Sequence, residues 1–547
     1  MSEITVYTAR SVITMDPSLP RGTAIAVRDG MILEVGTLDS LHPWLSKHPH
    51  KIDDRFIDHI LMPGFIDPHL HPTMAAILLN MQFITAVEWR LPWQTVKPTT
   101  SKEGFLNRLA ELDAAMDDPE EPLFTWGYHQ LWHGQIRRQD LDALDITRPV
   151  VVWHRSFHEI VVNGAMLTWM GINEKETHAQ VKLEDGHFFE NGLRLAINHL
   201  NPHILAPERY AEGLQKLKQV VHFGGHTTIG DMAAGLFNLE SELQAAATLL
   251  DTDDTPFRTQ MIPAGNVLGA TYETNEAALE FIKTLPDKNT HRLEFRDHVK
   301  LFTDGAFFSE LMQLSEPGYI DGHDGEWLML PEQFEAAVRT YWHAGYKIHV
   351  HCTGDLGLEM ALDALEKMQW ERPRFNHRYT IEHFGFCTQE QVRRIKVLGA
   401  QVSANIYYLY ELSDIYRRQS IGNERANQIG RLGSVARHDI PLAFHSDFTM
   451  APALPLNSAH IAVNRVNAAG DVMGPEEKLT VDQALRAITT DAAYMLGMET
   501  EIGSLRAGKK ADFTVLERDP YQVPASELRD IHIWGTVFEG QPFPIER

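Results

Sequence analysis

The chain has 547 residues, far more than one small core needs, so a large main domain with at least one accessory domain is expected. Hydrophobic residues make up 44% and charged residues 22%, an ordinary globular composition that excludes disorder as the main organisation. Lysine plus arginine number 49 against 74 aspartate plus glutamate, a formal charge of −25 that excludes a phosphate backbone, hence nucleic acid, as a natural partner. Two cysteines, Cys352 and Cys387, exclude a disulfide framework. The opening "MSEITV" lacks the basic start and apolar run of a secretory signal, and no run of about 18 apolar residues is present. The expectation is a cytoplasmic protein with no membrane partner.

In chain order, the first sixty residues read as short strands. "AIAVRDGMILEVG" (24–36) holds two β-rich runs around Asp29-Gly30, a strong hairpin signal. The other end matches it: "KKADFTVLERDP" and "IHIWGTVFEGQPF" are strand-like runs broken by Gly, Pro and Asp. Residues 1–60 and 500–547 are therefore expected to build one small β-domain together. Between them, strand-like runs alternate with amphipathic helical stretches such as "PEQFEAAVRTYWHAG" (331–345). The runs are "LMPGFIDPHLH" (61–71), "TTIGDM" (227–232), "FRTQMIP" (257–263), "HVKLFTDG" (298–305), "YKIHVHCTGD" (346–355), "RYTIEHFGF" (378–386), "AQVSANI" (400–406) and "IPLAFHSDF" (440–448). Eight strand–helix units predict an α/β fold, a (β/α)₈ (TIM) barrel over 61–499. The aromatic-rich stretch between the first two runs, about 73–210, is too long for a barrel loop. It reads as an inserted domain after barrel strand 1, able to cover the barrel mouth.

His69 and His71 sit at i and i+2 at the end of the first run, so both imidazoles share one face. An isolated His-x-His is a weak metal signal. It gains force because His349 and His351 end a later run, His383 ends the next, and Asp447 ends the last. All lie at C-terminal strand ends, where barrel chemistry is located. Nitrogen and carboxylate donors of this mix suit zinc or another borderline divalent metal. Lys300, inside "HVKLFTDG", is costly in an apolar strand unless paired or modified. One reading is a neutral amine that adds carbon dioxide to give a metal-bridging carbamate; the other is an ordinary ion pair, for instance with Asp304.

Together, "MPGFIDPHLH", "VKLFTDGAF", "HVHCTGD", "YTIEHFGF", "AFHSDF" and "GSLRAGKKADFTVLERDP" resemble the amidohydrolase superfamily over nearly the whole chain. They look most like its amidohydrolase-3 branch, which includes N-substituted formamide deformylases. The resemblance implies a distorted (β/α)₈ barrel, a composite β-sandwich from both termini, and one or two divalent metals, usually zinc. His69 and His71 match the first-strand ligands, His351 and His383 the fifth- and sixth-strand ligands, and Asp447 the eighth-strand ligand. Lys300 matches the position carbamylated in two-metal members. His349, two residues before its neighbour, is the lesser candidate. The implied chemistry is hydrolysis by a metal-activated hydroxide, with Asp447 shuttling the proton. His158, in a stretch resembling the family's Arg-Ser-x-x-His segment, is a candidate donor to the developing oxyanion. Where relatives read Asp-Gly before that histidine, this chain has Ser156-Phe157, which departs from the expected loop. Glu190 matches a family position often held by glutamate.

Trp126, Tyr128, His129, Trp132 and His133 form an aromatic and imidazole patch suited to lining a substrate pocket or to plain core. Tyr407, Tyr408 and Tyr410 follow the seventh run and are expected near the mouth, and Arg425 is a candidate for binding a substrate carboxylate or an ordinary solvated side chain. The expected activity is cleavage of a C–N (amide-like) bond in a small molecule. Alternatives are an ester or lactone hydrolase, a metal-dependent isomerase or deaminase, and a non-catalytic regulatory protein on the same fold, since some relatives carry a regulatory label. A homodimer is expected on frequency alone.

Overall fold

The computed structural model of the protein describes residues 3–172, 178–189 and 192–546. Glu190 lies outside the described residues. The chain divides into two compact units. One comprises the residues through His71, Lys218–Gly305 and the residues from Leu311 onward; the other comprises Pro72–Leu217 and Ala306–Glu310. Among the described residues, no helix is long and apolar enough to cross a membrane.

In the first unit both chain ends enter one seven-stranded sheet, ordered Gln541–Pro544, Ile533–Phe538, Phe513–Leu516, His50–Pro63, Ile4–Ile13, Arg21–Arg28, Met31–Gly36. The Asp29-Gly30 turn joins the last two strands, with φ of 52° and 75°, the left-handed pair that a tight hairpin needs. Tyr7, Ile25, Phe56, Phe513 and Val537 pack its apolar face.

Eight parallel strands follow: β1 (Phe65–Leu70), β2 (His226–Ala234), β3 (Arg258–Pro263), β4 (His298–Phe302), β5 (Lys347–Cys352), β6 (Thr380–His383), β7 (Gln401–Ala404) and β8 (Leu442–Phe444). Their hydrogen bonds form two ladders instead of one continuous ring. β1 to β3 share a sheet with the short strand Leu293–Phe295, and β4 to β8 form a second. One break lies where Leu293–Phe295 pairs with β3 on the side of β4, the other between β8 and β1. A parallel bridge between Ala264 and Lys300 links the flank of β3 to β4. At the other flank, Asp447 N–H donates to the His69 carbonyl (2.9 Å) and His71 N–H to the Phe448 carbonyl (3.1 Å).

Alternation along these strands explains the polar interior. Ile66, Met232, Ile262 and Ala443 pack in one apolar cluster with Ala492 and Met495 of helix Thr490–Met495 and with Leu496, which caps it. Their neighbours in the strands, Asp67 and His69 among them, must then face the opposite side. Gly64 lets the start of β1 approach β2 closely: a Cβ there would lie 1.9 Å from Thr227 Oγ1.

The second unit carries a six-stranded sheet that includes the parallel pair Leu123–Tyr128 and Val150–His154 and the antiparallel partner Glu159–Val162. Phe105, Leu109, Tyr128, Val150 and Val161 form its core. Arg155, fully buried, stacks its guanidinium on Trp126 (4.6 Å) and Phe308 (4.2 Å).

Two predictions follow from this packing. Arg258 on β3 is buried, with Nη1 on Asp512 (2.5 Å) and Nη2 on Glu539 (3.2 Å) of the terminal sheet. Arg258→Ala leaves Asp512 buried without its partner and should cost about 3–5 kcal/mol in urea unfolding; a loss under about 1 kcal/mol, the size of an exposed pair, would contradict it. Separately, His133, His154, His226, His377 and His460 are each pushed down to about 4, chiefly by burial. The unfolded chain takes up these protons from the ordinary histidine value of 6.5 downward, so stability is full above 6.5 and falls as pH drops from there to about 4. Asp67, Asp231 and Asp304, raised by burial, act in the opposite direction and are outnumbered. The melting temperature should therefore climb across that window; a flat profile would refute it.

Candidate metal centre

The site is assembled at the C-terminal ends of β1, β6 and β8. His69 and His71 leave β1 with ring centroids 5.2 Å apart. His71 Nε2 lies 3.0 Å from Asp447 Oδ1, His69 Nε2 3.5 Å from the same oxygen, and His383 Nδ1 3.5 Å from Asp447 Oδ2. Two overlapping groups of donors lie within 4.8 Å of one another: His69, His71 and Asp447, and His69, His383 and His445. His69 and His383 are almost fully buried and Asp447 nearly so.

Local backbone strain accompanies this convergence. His383 has φ of 71°, Phe384 of 52° and Asp447 of 51°, a left-handed region that costs a non-glycine residue roughly 1–3 kcal/mol where the surroundings impose it. The turn after β6 aims the His383 ring back at β1, and the turn after β8 does the same for Asp447. The His69–Asp447 and His71–Phe448 backbone bonds hold both ends together. Asp67 adds a further tie, accepting from the Ser446 N–H at 3.1 Å, and burial raises its carboxyl to about 7.

Beneath the donors runs a buried polar relay. Glu382 Oε2 accepts from His69 Nδ1 at 2.9 Å and Glu382 Oε1 from His349 Nδ1 at 2.6 Å. His349 Nε2 in turn meets His298 Nδ1 at 2.8 Å. Burial opposes ionisation of Glu382, but the His349 hydrogen bond and the charges of His349 and Lys300 hold its carboxyl below the usual range. Burial, with Lys300 and the neighbouring imidazoles, keeps His69 and His383 far below the ordinary histidine value. They are neutral at pH 7, as metal ligands must be.

These residues fit a divalent cation. His69 Nε2 is buried with no hydrogen-bond partner among the described residues, while its Nδ1 is committed to Glu382, so the lone pair of Nε2 faces the other donors. Lys300 Nζ is likewise buried and without a hydrogen-bond partner among the described residues. Burial lowers it to about 8, so roughly a tenth is neutral amine at pH 7. Asp304 is not its partner: that carboxylate accepts from Thr353, Gly354 and Gln313 backbone N–H groups. His351 lies with its ring 4.3 Å from His383 but is not in either group of converging donors. His349, the lesser candidate, belongs to the relay.

The candidates elsewhere take other roles. Tyr128 and Trp126 are buried in the second unit, Tyr128 donating to the Gly134 carbonyl and accepting from Ile136 N–H. Both are too buried to line an open pocket, and Tyr128 belongs to the core of that unit. His129 is buried and caps a helical turn by accepting from Leu131 N–H; the turn carries Trp132, and His133 bonds the Thr99 carbonyl. His158 sits beside Phe157, whose φ of 70° supplies the left-handed turn that a glycine would adopt without strain. The Phe157 ring packs at a tilt against Trp153, 4.7 Å between centroids, and the Ser156-Phe157 departure leaves that turn in the glycine conformation. Tyr407 and Tyr408 are buried at the start of helix Tyr407–Gln419, Tyr407 against Tyr410. Arg425 is not available to a carboxylate, because it donates to the carbonyls of Ser315, Glu316 and Gly318. Two buried residues escaped the sequence reading. His445 stands two before Asp447, the same i, i+2 spacing as His69 and His71, and Glu382 directly precedes His383.

The amidohydrolase family model matches residues 58–543, and the chain belongs to that family, in its amidohydrolase-3 branch. An N-substituted formamide deformylase from Arthrobacter pascens is 23% identical over 97% of this chain and 96% of its own length. A putative amidohydrolase, YtcJ, from Bacillus subtilis is 24% identical over 97% of both chains. Among solved structures, an uncharacterized metal-dependent hydrolase from Pyrococcus horikoshii shares the fold with a TM-score of 0.73, at 22% identity over 96% of this chain and 99% of that one.

Glu382→Gln keeps the size of the side chain but removes the charge that orients His69. Zinc affinity measured against a competing chelator should fall about 10–100-fold. An unchanged affinity would show that His69 needs no such support.

Proposed function

We propose that this protein is a metal-dependent hydrolase that cleaves a C–N bond of a small amide-like substrate, on a distorted (β/α)₈ barrel closed across its two ladders. The observation that carries the reading is the convergence of His69, His71, His383 and Asp447 from separate strand ends, with the His69 tautomer fixed by a buried carboxylate. The 23% identity with a formamide deformylase along both full lengths supports an amide-type substrate.

A divalent metal, zinc by the chemistry of the donors, would be held by His69, His71, His383 and Asp447, and would supply Lewis acidity toward a carbonyl and toward water. The chain's own residues supply the rest. Asp447 has one oxygen beside His71 and His69 and the other beside His383, so it can accept a proton from the attacking water and return it to the leaving nitrogen. Glu382 keeps His69 oriented throughout. Lys300, as a neutral amine, can add carbon dioxide and release a proton, giving a carbamate that adds an anionic donor for a second metal beside His351 and His383. The intact donor set, with Asp447 placed to carry a proton, favours a hydrolase over a purely regulatory protein.

Asp447→Asn preserves shape but cannot take the proton. Against a panel of N-substituted formamides and N-acyl amines, wild-type protein should turn over at least one compound, and the variant should lose at least about 100-fold in kcat. Equal turnover by both would remove Asp447 from the chemistry. No turnover of any amide, with turnover of esters or lactones, would overturn the C–N assignment.

A further inference from the structure

β4 and β5 end side by side, and the two residues that follow β4 are committed to the chain of β5. Thr303 donates twice to the His351 carbonyl, from its N–H at 3.0 Å and from its hydroxyl at 2.6 Å. Asp304, fully buried, continues the clamp one step further. Its Oδ1 accepts the Thr353 N–H at 3.0 Å, and its Oδ2 accepts the Gly354 N–H at 2.8 Å and the Gln313 N–H at 3.0 Å. Gln313 closes the circle, its carbonyl accepting the Leu356 N–H at 3.1 Å. Three segments thus meet on one carboxylate: the end of β4, the turn that follows His351, and the chain at Gln313.

The chain makes room for this carboxylate at two glycines. A Cβ on Gly354 would lie 2.9 Å from Asp304 Oδ2, and one on Gly357 would overlap Asp304 Oδ1. The consequence is a mechanical coupling between the strand ends that carry Lys300 and His351. The Phe302 ring lies 5.6 Å from the His351 ring and 5.4 Å from Lys300 Nζ, so all three share one small region. His351 stands two residues before Thr353, and a shift of that turn carries its backbone along. Holding the turn on a side chain of β4 fixes His351 relative to Lys300. A neutral side chain could not do this as well, because each carboxylate oxygen serves as an acceptor here and neither has to donate.

We propose that Asp304 is a positioning residue for the second metal position: it sets the spacing of Lys300 and His351 by tying the end of β4 to the turn after β5. This rests on the metal-dependent reading above and deepens it. The first position, at His69, His71, His383 and Asp447, is organised by other ties. These run through Glu382, Asp67 and the backbone bond from Asp447 to His69, on β1, β6 and the turn after β8. Asp304 therefore acts on one position far more than on the other.

The test titrates the full-length protein with zinc in bicarbonate buffer, which supplies carbon dioxide to Lys300, and compares wild type, Asp304→Asn and Arg258→Ala. Wild type should take up about two equivalents. Asp304→Asn keeps the shape but turns an NH₂ group toward a backbone N–H. It should bind the second equivalent at least about 10-fold more weakly and hold the first as wild type does. Arg258→Ala, destabilised through the terminal sheet, should keep both, which separates positioning from lost stability. Wild-type affinity for both equivalents in Asp304→Asn, or equal weakening of both, would overturn the inference. If wild type stops at the first equivalent, there is no second position to set and the inference falls, while the hydrolase reading stands. If wild type binds no zinc, both fall. Should Asp304→Asn not fold, Gly357→Ala decides. Its methyl group displaces the carboxylate with the charge in place, at a helical position where alanine carries no backbone strain. The same selective loss supports the inference, and unchanged binding overturns it.

Discussion

A carboxylate with no access to water has to be surrounded by donors or it will not stay ionised. Glu382 meets that condition in the middle of the parallel strands, between His69, His349 and His445 and under the charge of Lys300. Much of the site depends on this one group. It selects the tautomer of His69, keeps that ring's Nε2 free of its proton, and ties β1, β5 and β6 together through side chains where the two backbone ladders do not pair.

The interior of such strands is usually filled by branched aliphatic residues. Here it carries Asp67, His298, Lys300, His349, Glu382, Ser403 and His445, all buried. Each is tolerable because its neighbour is polar as well, and removing one member leaves the others without partners. The apolar work is done on the outer faces by residues such as Ile66, Met232 and Ile262 against helix Thr490–Met495. The positive φ values at His383 and Asp447 belong to the same arrangement, since a relaxed strand end would direct these side chains elsewhere.

The strands were legible because buried parallel strands read as short apolar runs, and each of the eight expected runs overlaps one. The Asp29-Gly30 hairpin was legible because its turn chemistry is local. His69, His71, His383 and Asp447 stood out by their position at strand ends. Glu382 and His445 did not, since a glutamate beside one ligand and a histidine near another look like motif filler until the fold sets them 3.4 Å apart. Leu293–Phe295, three residues long, was too short to carry a periodic signal, and its pairing with β3 marks one of the two breaks between the ladders. Tyr128 and Arg425 could not be placed from sequence, because whether an aromatic or a guanidinium faces a pocket or a row of carbonyls depends on contacts remote in the chain.

The central claim is that these side chains exist to hold a metal. Elemental mass spectrometry of the full-length protein, purified without added metal or chelator, tests it most directly. The account predicts at least about one transition-metal equivalent per chain, zinc foremost. Protein that carries none, and takes up none when zinc is supplied, would contradict it.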